Sequence, residues 1–278
     1  MEQAENCCVV VCDNPLDQQY WDAQYQANQT GWDLGCCSSA IQSLVATIPN
    51  KEAAILIPGC GSSYEAKYLV ANGFTNITLL DIAPTLVQKL QVEFQDIPEV
   101  QVVLGDFFAH QNQYDYILEQ TFFCALPPSL RLQYVAKMHE LLKPNGQLMG
   151  LLFDTTFEVS PPFGGSIDEY IPLFESAFTL LKLEKTTLSV PKRMGSELAF
   201  QFQKKVDVLI STYQFKGITC GGCKTSVMEK FKHIPNVLSA QMNTAFDYVF
   251  LTSTDPIALS DLQEAIAYDT DYQITPLN

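Results

Sequence analysis

The chain is short of positive charge. It has 16 Lys and Arg against 31 Asp and Glu, a net charge of −15 over 278 residues. Acids outnumber bases on both sides of residue 204, so neither part offers the basic footprint that binds nucleic acid or an anionic membrane. Long apolar runs are missing as well. The hydrophobic fraction of 47% is enough for a core, yet no stretch approaches the roughly 20 apolar residues of a membrane span. The N-terminus, "MEQAENCCVVVCDNP", has acids where a secretory signal has positive charge, so no signal peptide is read and a cytoplasmic location is expected. In such a reducing compartment the nine cysteines are not a disulfide framework, and most read as small hydrophobes. There is no low-complexity tract. The length suits one large domain or two unequal ones.

What is present is an alternating pattern. "AAILIP" (53–58), "NITLLDI" (76–82), "VQVVLGDFF" (100–108), "YDYILEQ" (114–120) and "QLMGLLFD" (147–154) read as strands. Helical spacing falls between them at 64–73, 83–95 and 127–146, and a further helix is read at 166–177. This predicts a mostly parallel sheet covered on both faces. Two closing strands, 179–188 and 197–205, have no long helix between them and predict an antiparallel edge hairpin. After residue 205 the order becomes β-α-β-β-α-β within about 70 residues, which is the split βαβ or ferredoxin-like layout.

In "ILIPGCGSSYEA", Gly59 and Gly61 fall where the first strand turns into the first helix. Glycines there let the backbone approach a ligand. Asp81 ends the second strand about 20 residues on, where a carboxylate can accept both hydroxyls of a ribose. Asp106 and Phe107 end the third, where an acid beside an aromatic can bind and cover an adenine. All lie on the ligand-bearing rim of an open sheet. A nicotinamide cofactor and S-adenosylmethionine share this geometry. Tyr64 stands where a third glycine serves a pyrophosphate, which favours a nucleoside without one.

The motifs "YWDAQYQANQTGWDLG", "IPGCGSSYEAKYLVANGF", "LLDIAP", "GDFF", "YILEQTFFCALPPSLR", "LLKPNGQLMGLLFD" and "PPFGG" followed by "EY" and "LF", in that order, resemble the thiopurine S-methyltransferase superfamily, on its thiol and halide methyltransferase branch. The resemblance covers residues 16–204. It implies a class I S-adenosylmethionine-dependent methyltransferase with a Rossmann-like sheet, acting on a small soft nucleophile: a thiol, sulfide, halide or metalloid. By it, Trp21 and Trp32 form a lid over the cofactor, Gly59 and Gly61 line the methionine end, Asp81 holds the ribose, and Asp106 with Phe107 the adenine. Glu119 falls near the cofactor's amino-acid end. Tyr64, Arg193 and Glu197 are candidates on the acceptor side, with no certain general base among them. Transfer from a sulfonium is an in-line displacement, and alignment alone can supply about 7–11 kcal/mol of the barrier.

"GITCGGCKTS" (217–226) places Cys220 and Cys223 between the first strand and first helix of the C-terminal unit. Glycines let both sulfurs point one way, and the helix N-terminus favours thiolates. Two thiolates suit a soft, low-coordinate ion such as Cu(I), or part of a Zn site. The stretch to Asn243 also resembles the heavy-metal-associated domain of copper chaperones and metal-transporting ATPases, with Ile218 where Met is usual. A redox pair and a vestigial module remain as alternatives. His233 reads as a helix-end residue, and Cys7, Cys8 and Cys12 form a second cluster in a segment that reads as strand or tail, with a metal or metalloid relay as the lesser alternative. The expected organisation is a tail (1–15), a methyltransferase domain (16–204) and a metal-binding domain (205–278). Expected partners are a small-molecule methyl acceptor and a metal-donor or acceptor protein, with neither nucleic acid nor membrane. A second reading makes the chain a metal-binding or sensing protein on an inactive methyltransferase scaffold.

Overall fold

The computed structural model describes residues 15–268 and 271–277. Cys7, Cys8 and Cys12 lie outside them. Two helices come first, α1 (Gln18–Gln26) and α2 (Ser39–Val45). Each has a side-chain cap: Asp17 accepts from the Tyr20 N–H at 3.0 Å and Ser38 from the Ile41 N–H at 3.3 Å. Then β1 (Ile55–Pro58), α3 (Tyr64–Ala71), β2 (Ile77–Asp81), α4 (Pro84–Glu93), β3 (Val100–Leu104) and β4 (Tyr114–Gln120) alternate. α5 (Arg131–Leu141), β5 (Leu142–Phe153), α6 (Ile167–Phe174), β6 (Phe178–Lys185) and β7 (Glu197–Lys204) complete a seven-stranded sheet of order β3-β2-β1-β4-β5-β7-β6.

β1 to β5 pair in parallel, and every residue of β1 and β2 is buried. That is why these strands read as unbroken apolar runs rather than alternating ones. The closing strands pair antiparallel as read, but β7 lies inside, against β5, and leaves β6 at the edge. The helix read at 127–146 is shorter: a 3-10 turn at Pro128–Leu130 precedes α5, and the "KPNG" segment belongs to β5. Pro128 forces Pro127 into extended backbone, with ψ of 142°, so a helix cannot begin at Pro127.

The sheet has one core on each face. α2, α3 and α4 cover the first, through Ile41, Leu44, Leu69, Leu86 and Leu90. α5 and α6 cover the second, through Tyr134, Met138, Tyr170 and Phe174.

The remaining elements are β8 (Leu209–Lys216), α7 (Gly221–Lys232), β9 (Val237–Met242), β10 (Tyr248–Ser253), α8 (Leu259–Ile266) and β11 (Gln273–Pro276). They build a separate antiparallel sheet of order β11-β8-β10-β9. β10 is buried on both sides. Val249 and Leu251 join a third core with Val227, Phe231 and Leu262 of α7 and α8, while Tyr248 and Phe250 enter the core of α5 and α6. Fully burying a side chain of that size contributes about 1.5–3 kcal/mol, so α5 is held between two sheets. Hydrogen bonds seal the seam: Asn243 Nδ2 donates to the Ser129 carbonyl at 3.1 Å and Gln241 Nε2 to the Pro172 carbonyl at 3.0 Å.

Candidate active site

The turn after β1, the end of β4 and the segment before α2 line one cleft. Its walls include Trp32, Asp33, Gly59, Gly61, Ser63, Glu65, Gln120 and Thr121, and it measures about 410 Å³ out to its open mouth.

Gly59 and Gly61 have φ of +54° and +50°, which glycine adopts without strain. A Cβ at Gly59 would collide with the Phe122 ring, so the cradle admits no side chain there. Asp81 is 7% exposed. It accepts from the Gly61 N–H at 3.3 Å and the Ala83 N–H at 3.0 Å. Burial pushes its carboxyl up to about 6 despite those bonds.

The residues expected to form a lid make an aromatic cluster. Trp21, on α1, meets Trp32 edge-on at 5.6 Å between centroids, and Tyr25 meets Trp32 at 5.8 Å. The Tyr25 hydroxyl lies over Gly61, and burial, then the nearby Asp81, holds it protonated. α1 is pinned to the start of α4, where Asp22 accepts from the Thr85 N–H at 2.7 Å and Gln18 donates to the Ile82 carbonyl at 3.0 Å. At Asp33, burial opposes ionisation, but bonds from Ser62, the Gly35 N–H and Tyr64 outweigh it and hold the carboxyl below its usual range.

Asp106 is exposed at the end of β3, one oxygen accepting from the Phe108 N–H at 2.9 Å. Phe107 is buried, with its ring 5.1 Å from Phe122 and 5.8 Å from Tyr134. Glu119 is fully buried. One of its oxygens accepts from the N–H groups of Phe122 and Phe123 at 2.9 and 3.0 Å, and the other from Tyr134 at 2.9 Å. The structure thus commits this carboxylate to shaping the turn after β4. Burial raises it to about 7.

Of the three residues expected on the acceptor side, Tyr64 is bonded to Asp33 and Ser62. Arg193 and Glu197 pair with each other at 3.3 Å, and Arg193 also donates to the Trp32 carbonyl at 2.9 Å. Arg193 therefore ties the β6–β7 turn to the lid. Cys124 is buried near both Arg193 and Arg131, its thiol donating to the Thr121 carbonyl at 3.3 Å. Tyr25, Ser63, Glu65, Gln120 and Cys124 escaped the sequence reading.

These residues fit an adenosyl sulfonium. Asp81 is a buried acid at the end of β2, bonded to the Gly61 N–H of the cradle, and the cleft walls carry Asp33 and Glu65 but neither Lys nor Arg. The second site lies elsewhere. Cys220 caps α7, its sulfur accepting from the Cys223 N–H at 3.2 Å. Hydrogen bonds from the Cys223 thiol and backbone lower Cys220, while Cys223 is raised by its bond to Cys220. His233 caps the other end of α7, its ring bonded to the Glu229 carbonyl. Among the described residues no group of three or more His, Cys, Asp or Glu is placed to hold a metal. No described helix is long and apolar enough to cross a membrane.

The sequence profile described as Thiopurine S-methyltransferase (TPMT) matches residues 16–212. A protein named "Probable thiol methyltransferase 2" from Arabidopsis thaliana is 33% identical over 196 residues, 66% of this chain and 84% of that one. "Thiocyanate methyltransferase 1" from the same plant is 27% identical, over 68% of this chain and 86% of its own. Among solved structures, a Burkholderia thailandensis 1,6-didemethyltoxoflavin-N1-methyltransferase with bound S-adenosylhomocysteine superposes with a TM-score of 0.55 at 17% identity, over 68% of this chain and 87% of that one. The fold is that of class I methyltransferases, and with the family comes the enzyme class in place of an inert scaffold. The chain belongs to the thiopurine S-methyltransferase family of S-adenosylmethionine-dependent methyltransferases.

Proposed function

We propose that the chain methylates a small soft nucleophile (a thiol, sulfide, halide or metalloid) and that its C-terminal unit is a ferredoxin-like, heavy-metal-associated module binding a soft metal at Cys220 and Cys223. When bound, S-adenosylmethionine supplies a methyl group activated by a sulfonium. Asp81 accepts from the ribose hydroxyls, while Asp106 and Phe107 flank the adenine. Trp21 and Trp32, closed over by the Arg193 contact, exclude water. The observation that carries the acceptor reading is the Arg193–Glu197 pair, because an acid spent on an arginine is not a free general base. A soft nucleophile needs none: a thiol near pKa 8.5 is a few per cent ionised at neutral pH and already reactive. The 33% identity to a protein named as a thiol methyltransferase supports the same class.

The metal reading rests on the thiol pair at the N-terminus of α7, exposed Cys220 and half-buried Cys223, and on the strand order β11-β8-β10-β9 with both helices on one face. Two thiolates satisfy Cu(I), whereas zinc asks for four ligands. On this reading residues 16–204 are the enzyme and 205–278 the metal module, and exposed Cys36 and Cys220 belong in a reducing cytoplasm. A metal-donor or acceptor protein would meet the module at those thiols.

The test is an acceptor screen read by S-adenosylhomocysteine release, run on the wild type and on Cys220→Ser/Cys223→Ser. Thiols and sulfide should be methylated equally by both proteins, Cu(I) should be retained by the wild type alone, and limiting metalloid should be methylated faster by the wild type. Transfer confined to oxygen or nitrogen acceptors would defeat the acceptor reading, and equal copper retention the metal one.

A further inference from the structure

We infer that Asn243 is a positioning residue for methyl transfer: through it the C-terminal sheet holds the segment that flanks the acceptor side of the cleft. The inference rests on the reading of Arg193 as an acceptor-side residue.

Asn243 follows β9 directly, in the turn to β10, and is 5% exposed. Its carboxamide uses both donors and both acceptor positions that it has. Oδ1 accepts from the N–H groups of Asp247 and Tyr248 at 3.1 and 3.2 Å. Nδ2 donates to the Asp247 carboxylate at 2.7 Å, and across the seam to the Ser129 carbonyl at 3.1 Å. Three of these bonds fold the hairpin. The fourth reaches the methyltransferase sheet's own helix layer.

Ser129 lies in the 3-10 turn that feeds α5, and Arg131 is the first residue of that helix. Arg131 is 5% exposed. It donates to the Gly164 carbonyl at 2.6 Å and pairs with Glu169. One residue earlier, the Phe163 N–H donates to the Cys124 carbonyl at 2.6 Å. The segment 155–165 is closed by a bridge between Thr155 and Gly165, and a Cβ at Gly164 would run into the Thr155 carbonyl. Its other end meets the acceptor side. The Phe157 ring lies 5.0 Å from that of Phe153, and Arg193 covers the Phe153 ring at 5.5 Å. The turn before α5 therefore takes a bond from Asn243 and, through Arg131, grips the segment beside Arg193.

The seam carries its own control. Gln241 Nε2 donates to the Pro172 carbonyl and to the Ser176 hydroxyl, on and just after α6, away from the turn before α5.

Asn243→Asp keeps the size of the side chain and turns the Nδ2 donor into an acceptor facing the Ser129 carbonyl and the Asp247 carboxylate. Gln241→Ala loosens the same seam elsewhere. Both are compared with the full-length wild type by hydrogen exchange of residues 155–165, by rates with bisulfide and thiophenol as acceptors, and by calorimetry with S-adenosylhomocysteine. In N243D, exchange of 155–165 should quicken and the acceptor KM should rise, each about 3- to 10-fold, the effect of losing one such bond. The kcat and the S-adenosylhomocysteine affinity should hold. Q241A should match the wild type in exchange, KM and affinity. Asn243→Ser, whose short hydroxyl does not reach Ser129, replaces N243D if the acid prevents folding. Unchanged exchange or unchanged KM overturns the inference. So does an equal effect of Q241A, which would belong to the seam as a whole, or an equal loss of S-adenosylhomocysteine affinity. Methylation of neither acceptor by the wild type overturns the acceptor reading, and the positioning role with it.

Discussion

The cofactor cleft and the thiol loop use one device to opposite ends. In each, a strand turns through glycines onto the N-terminus of a helix, β1 onto α3 and β8 onto α7. The cleft is covered by α1 and the aromatic lid, and burial lifts Asp81, Glu65 and Glu119 above their usual range. The thiol loop lies at the surface, and Cys220 is shifted the other way, by hydrogen bonds rather than burial. The first is a buried site whose acids hold their protons more tightly than usual. The second leaves the Cys220 sulfur at the surface, where bonds from the Cys223 thiol and N–H favour the thiolate. Burial decides which kind of site a glycine turn becomes.

The two sites also differ in how they are fastened, and this gives the prediction with the largest effect. Tyr248 and Phe250 insert the C-terminal sheet into the core of α5 and α6. Phe250→Ala should cost about 3–5 kcal/mol and lower the unfolding temperature of the whole chain, as read by calorimetry. A C-terminal unit that melts alone, leaving the rest unshifted, would mean the seam is decorative.

A smaller effect sharpens the contrast in burial. The buried carboxyls of Asp81, Glu65 and Glu119 are raised from 3.8, 4.5 and 4.5 to about 6, 7 and 7. An acid raised on folding binds its proton more tightly in the native state than in the unfolded one. Its contribution to stability is therefore full below about pH 4 and falls as pH rises through about 7. Cofactor binding runs the other way, because the cationic ligand prefers the ionised acids. S-adenosylmethionine affinity should climb about tenfold from pH 5 to 8, a free-energy change of about 1.4 kcal/mol. In E65Q the climb should shrink. A flat profile in the wild type would show that Asp81 and Glu65 do not face the ligand, since Glu119 is spent on the turn after β4.

Much of this was legible in the sequence, and the parts that were not have identifiable causes. β1, β2 and β4 could be read because buried parallel strands are continuous apolar runs, and Asp81 because it closes one of them. α1 and α2 carry their cap residues in plain view at Asp17 and Ser38, but α1 is polar and buries no residue, so its periodicity is weak. The inward position of β7 depends on pairing with β5 about 50 residues earlier, which no local pattern encodes. "YVFLTS" could be read as a strand, but that both its faces are covered depends on α5 from another part of the chain. Glu65 looks like any first-turn helix acid until α2 and the lid bury it. Glu119 shows the converse: the position was legible, while its engagement with the Phe122 and Phe123 amides was not.

The most direct test of the account is calorimetric titration of the full-length protein with S-adenosylmethionine beside Asp81→Ala. The account predicts saturable one-to-one binding by the wild type and affinity at least about 100-fold weaker in the variant, the loss of two hydrogen bonds to a charged acceptor. Equal affinity in the two proteins, or no binding by either, would contradict it.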